Sequence, residues 1–95
     1  FYTNSGDKPE CIYLTSLELT NDWKQWKAKK SKKILEPFLT WEGSNLDLTK
    51  SVMGAVQGRI RELRDPSVFE DSDNQLYLFY CGAGESGIGI VKLKH

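Results

Sequence analysis

Ninety-five residues with 39% hydrophobic and 27% charged side chains fit one small globular domain and exclude a disordered chain. Thirteen basic and thirteen acidic residues cancel to a net charge of zero, which speaks against nucleic acid or an anionic membrane as partner. The single histidine is the last residue, so a Ser-His-Asp triad and a multi-histidine metal site are both excluded.

Phe1 and Tyr2 open the chain in strand-like residues, and the cluster Thr3 to Glu10 (TNSGDKPE) is turn chemistry. Cys11 to Leu19 (CIYLTSLEL) is a β-rich run, with Ile12, Leu14 and Ser16 expected on one face and Tyr13, Thr15 and Leu17 on the other. Six lysines follow between Lys24 and Lys33. They read as a solvated loop or a charge-protected edge, in preference to a polyanion patch, because the rest of the chain is not basic. Trp23 and Trp26, three apart, fit one helical turn or a loop pinned onto a sheet. Ile34 to Leu39 is a short strand that Pro37 confines to an edge or an end. Thr40 to Leu63 is long, irregular and glycine-containing, the pattern of a functional or disordered connection.

The last third reads as an antiparallel meander. Ser67 to Phe69 is one strand, Glu70 to Gln75 a polar hairpin turn, and Leu76 to Cys81 (LYLFYC) a strand apolar on both faces and expected to be buried on both. A Gly-rich turn, Gly82 to Gly87, leads to Ile88 to Lys94, where Gly89 marks a close backbone approach. The far edge of that strand has no obvious partner. Cys11 and Cys81 are too few for a disulfide framework and lack zinc spacing, so two free thiols are expected. Asp71 and Asp73 lack the spacing of a calcium-binding EF-hand loop, and no metal or cofactor is expected. No signal peptide or membrane-length apolar run is visible, which reads as a soluble chain of unassigned compartment. The start at Phe1 without a methionine fits processing or excision from a longer chain, and His95 fits a tag remnant.

The two ends echo each other. Phe1-Tyr2 aligns with Phe79-Tyr80, the Gly6 turn with the Gly82 to Gly87 turn, and Cys11 to Leu17 with Ile88 to Lys94. Radially repeated four-stranded sheets are the mark of a β-propeller. The expected fold is therefore all-β: about two antiparallel propeller blades, each incomplete. Residues 1–39 would hold strands B to D of one blade, 40–63 a connecting loop, and 64–95 strands A to C of the next.

The stretch RDPSVFEDSDNQLYLFYCGAGESGIGIVKL (Arg64 to Leu93), with LTSLELTNDWKQWK and TWEG before it, resembles the five-bladed β-propeller glycoside hydrolases. These are the arabinanase, levansucrase and invertase-like superfamily, with glycoside hydrolase family 43 and its relatives. The resemblance covers Phe1 to Leu93 and implies carbohydrate as partner. It also implies three carboxylates in a funnel at the propeller axis: a base or nucleophile, an acid, and one that positions the others. Carried onto this chain, it makes Asp65 and Glu42 the candidate catalytic carboxylates. Arg64, Trp41 and Glu85 become candidate sugar-binding residues, Trp41 as a stacking platform. Asp-Pro at a strand start is also ordinary capping, and Glu42 also reads as a surface residue. Fewer than two blades cannot enclose a funnel, so a fragment inactive alone is expected. The alternative is a non-catalytic module that assembles into a homo-oligomer through its edge strands, with a sugar-binding or structural role.

Overall fold

The computed structural model describes residues 1–94, and His95 lies outside the described residues. The chain is all-β, with two antiparallel sheets and no α-helix among the described residues. The first sheet pairs β1 (Ile12–Leu14) with β2 (Lys32–Leu35). The second orders β3 (Leu63–Glu70), β4 (Leu76–Gly82) and β5 (Gly87–Leu93) as a meander.

The first sheet is shorter than its sequence suggests. Cys11 to Leu19 contributes three residues of strand, and Leu17 makes only an isolated bridge to Ala28. Tyr2 adds a rung on the other side of β1. Its amide donates to the Tyr13 carbonyl (3.0 Å), the Tyr13 amide donates back (2.8 Å), and the two rings stack at 5.5 Å. β1 is thus flanked by the Tyr2 bridge on one side and by β2 on the other. The second strand ends at Leu35, two residues before Pro37, because proline has no N–H to continue the ladder. The lysines from Lys24 to Lys33 are all exposed. Trp23 begins a 3-10 turn (Trp23–Gln25) in which Asp22 caps the Lys24 amide; Trp23 is largely solvated, and Trp26, less exposed, donates its indole N–H to the Thr20 carbonyl (3.0 Å).

In the second sheet local chemistry sets both turns. The Asp71 carboxylate accepts from the Ser72 amide (2.7 Å) and that of Asp73 from the Gln75 amide (3.1 Å), so the acidic side chains bend the hairpin. The β4–β5 turn runs through positive φ at Ala83 (51°) and Gly84 (75°), which the neighbouring small residues permit. The third strand is longer than Ser67 to Phe69. It begins at Leu63 and is interrupted by a bulge between Arg64 and Ser67.

Between the sheets lies a small core of Ile12, Leu63, Leu78 and Tyr80, with Ile34, Leu35, Val91 and Leu93 packed on it. The Leu63 amide donates to the Glu10 carbonyl (2.9 Å) and ties the sheets together. Each of these core side chains contributes about 1.5–3 kcal/mol on burial. The period of two shows at the centre of β4: Leu78 and Tyr80 are buried, whereas Phe79 between them is exposed. The expectation that Leu76 to Cys81 is buried on both faces is therefore corrected, because within this chain only one face of the sheet is covered. A second correction concerns Gly89. Aromatic rings approach it, not a backbone: a Cβ there would lie 2.5 Å from Tyr80 Cζ and 2.7 Å from Trp41 Cη2. Both cysteines are free thiols, Cys11 buried and Cys81 half-buried.

Candidate functional site

The long connection from Thr40 to Leu63 folds back over the end of the three-stranded sheet and brings distant acidic residues around Arg64. Arg64 is buried at the start of β3. Its Nη1 donates to the Gly54 carbonyl (2.8 Å) and its Nη2 to that of Val52, so the guanidinium anchors the connection. Its Nε faces Glu10 Oε2 at 3.3 Å and Glu62 Oε2 at 3.6 Å, and its Nη1 lies 3.8 Å from Glu85 Oε1. One cation thus answers three carboxylates. Glu62 is the least comfortable of them, since its Oε2 is buried without a hydrogen bond. Burial pushes the Glu62 carboxyl above its ordinary range; Arg64 opposes this, and Glu10 and Glu85 add to it.

Beside this cluster opens a recess of about 380 Å³, lined by Thr3, Ser5, Glu10, Met53, Gly54, Arg64, Asp65 and Glu85. Asp65 stands on the bulge of β3 with φ of 53°, a left-handed conformation that costs a non-glycine residue roughly 1–2 kcal/mol. The bulge turns its side chain into solvent, where it also meets the Cys81 thiol. That thiol is pushed up by burial, and then by the charge and hydrogen bond of Asp65.

Arg64, Asp65 and Glu85 are therefore brought together on one recess, as candidates for one site. Glu42 and Trp41 lie elsewhere. Glu42 ends a 3-10 turn (Thr40–Glu42) and is buried. Its Oε1 accepts from the amides of Phe38 (3.1 Å) and Leu39 (2.7 Å), and its Oε2 accepts from the Tyr80 hydroxyl (2.6 Å). Burial, more than this bond, pushes the Tyr80 hydroxyl well up, so it stays protonated and donates. Trp41 stacks on Tyr80 (5.9 Å between centroids) and lines a separate recess with Thr40, Arg59, Ser86 and Gly87. Sequence reasoning missed Glu10, Glu62 and Arg59. Glu10 is 54 residues from Arg64, and nothing local in the TNSGDKPE turn marks it as the partner of a buried cation.

Among the described residues no cluster of three or more His, Cys, Asp or Glu is arranged to hold a metal ion, and no helix is long and apolar enough to cross a membrane. Among curated proteins the chain is similar to an uncharacterised protein of Acanthamoeba polyphaga mimivirus, 41% identical over 92 residues. That match covers 96% of this chain and 26% of the relative, so the chain spans about a quarter of the length of the curated protein it matches. No protein-family model and no solved structure matches it.

Proposed function

We propose that the chain is a carbohydrate-active, glycoside-hydrolase-like segment of a five-bladed β-propeller, inactive alone because the other blades are absent. Residues 1–39, 40–63 and 64–95 are then one partial blade, a connection and the next partial blade. Asp65 acts on the glycosidic bond, Arg64 orients the carboxylates, and Glu85 and Trp41 contact sugar. The observation that carries this reading is the backbone of Asp65. A left-handed aspartate on a bulge, exposed beside Glu10 and Glu85, is a strained placement of the kind that clusters at functional sites, and it leaves the carboxylate open to a ligand. Glu42 has both oxygens engaged, so Glu85, half-exposed on the recess wall, is the better placed second carboxylate.

The test is calorimetric titration of the chain with arabino- and xylo-oligosaccharides, alongside an aryl-glycoside assay. The reading expects binding that Asp65→Asn weakens about tenfold, and no release of aglycone. Equal binding by the variant sinks the role of Asp65. Turnover by the chain alone, abolished in Asp65→Asn, overturns its inactivity.

A second reading, a self-assembling module without catalysis, draws on a different observation. Among the described residues β5 pairs only with β4, and the sheet leaves Phe69, Phe79, Ile88 and Ile90 in solvent. Light scattering behind a sizing column separates the two. A discrete oligomer that Ile90→Pro dissociates favours assembly, and a monomer counts against it.

A further inference from the structure

We infer that the recess between Trp41 and Arg59 is a second binding site, built for a sugar ring that carries a carboxylate, such as a hexuronate unit of an acidic glycan. That the ring is a sugar rests on the carbohydrate reading above; the platform and the cation do not.

Three strand and turn glycines make room for the Trp41 indole. A Cβ on Gly82 would come within 2.5 Å of its Cζ3, one on Gly89 within 2.7 Å of its Cη2, and one on Gly87 within 3.4 Å of its Cε3. Glycine weakens a strand, so three of them under one ring is a local cost. In a protein core that cost accompanies full burial. Here the residue remains 38% exposed, its ring seated on Tyr80 and the glycines and lining the recess. A tryptophan seated on a second ring and on glycines, and still partly exposed, offers apolar surface at little entropic cost, which suits the C–H face of a pyranose.

Arg59 supplies the charge. Its Nη2 donates to the Thr40 carbonyl (2.9 Å), which fixes the guanidinium at the rim. No carboxylate among the described residues lies within ion-pair distance of it, unlike Arg64 with three. Among the described residues it is the one charged side chain lining this recess. An anchored fork with donors to spare matches a carboxylate bidentately. Ser86 donates its hydroxyl to the Gly58 carbonyl (3.1 Å), leaving its oxygen to accept from a sugar hydroxyl. The two recesses flank one turn, Glu85 facing the acidic one and Ser86 the cationic one. Their opposite charges assign them different ligands.

The experiment is calorimetric titration of the full chain with a trigalacturonide and with the neutral galactotrioside of equal length. It is repeated on Arg59→Gln and on the double variant Lys27→Gln/Lys30→Gln, with amide NMR spectra confirming that each folds. The expected result is at least tenfold tighter binding of the trigalacturonide, a preference lost in Arg59→Gln and kept in the lysine variant. Equal affinity for the two sugars, or an unchanged preference in Arg59→Gln, overturns the site while leaving the carbohydrate reading intact. Loss in the lysine variant alone assigns the binding to the lysine run and overturns it equally. Failure of every oligosaccharide to bind at either recess overturns both readings.

Discussion

Glu62 gives the acidic cluster a response to pH. Glu62 has a folded-state pKa raised above its ordinary 4.5, first by burial. An acid that binds its proton more tightly when folded loses stability as pH climbs from the unfolded value through the folded one, and the penalty is complete above it. Glu62→Gln is therefore expected to be more stable than the parent at pH 7, and the difference should vanish at pH 4.5 and below. Urea midpoints measured from pH 4 to pH 8 check this, and a pH-independent difference counts against it. Asp65 acts on a neighbour. Burial and the Asp65 carboxylate together keep the Cys81 thiol protonated beyond its ordinary 9.0. Asp65→Asn removes the second cause, so iodoacetamide should label Cys81 several-fold faster at pH 8, read by peptide mass spectrometry against Cys11 as the buried reference. No change in rate would separate the two side chains in solution.

Among the elements, β5 shows how much one missing side chain can govern. Gly89 lies opposite Tyr80 in the ladder, and a methyl there would meet Tyr80 Cζ at 2.5 Å and its hydroxyl at 2.7 Å. Gly89→Ala must push Tyr80 or Trp41 aside, which costs about 1–3 kcal/mol. It also loosens the bond from Tyr80 to Glu42, one of the contacts that hold the Thr40–Glu42 turn to the sheet, beside the bond from the Ala83 amide to the Glu42 carbonyl. A lowered thermal midpoint with red-shifted tryptophan emission is the expected outcome; unchanged emission would mean that the indole is not seated on the glycines. The strand order and the polar turns of this meander were legible in the sequence, because alternation and Asx chemistry act over a few residues. Gly89 was legible as a close approach but not as an aromatic seat, since Trp41 arrives from 48 positions away in the chain.

The molecule as a whole is a slab, 44 × 33 × 20 Å, with a radius of gyration of 14.7 Å. A compact chain of this length has about 12 Å. The excess follows from a core that fills only the space between the two sheets. The outer face of β3–β5 remains bare: Ser67, Phe79 and Ile90 form one row across it, Phe69, Tyr77 and Lys92 the next. Exposed apolar rows of this kind bind hydrophobic dyes and drive association. The chain is expected to enhance anilinonaphthalene sulfonate fluorescence, and Ile90→Lys to reduce the signal by about half without lowering stability by more than 0.5 kcal/mol or so. Undiminished dye binding in Ile90→Lys would place the apolar surface elsewhere, for instance on the solvated Trp23, Phe38 and Met53.

By itself the sequence determined the all-β class, the three-stranded meander, the two free cysteines and the solvated lysine run. Each follows from short-range rules of alternation, turn chemistry and charge. Only the tertiary structure decided which acidic residues meet Arg64, that Glu42 spends its carboxylate on Tyr80 and two amides, that Arg59 stands beside Trp41, and that one face of the meander is uncovered. These depend on where the irregular connection from Thr40 to Leu63 returns. Its path is set by long-range bonds such as Arg64 to the carbonyls of Val52 and Gly54, which no local pattern encodes.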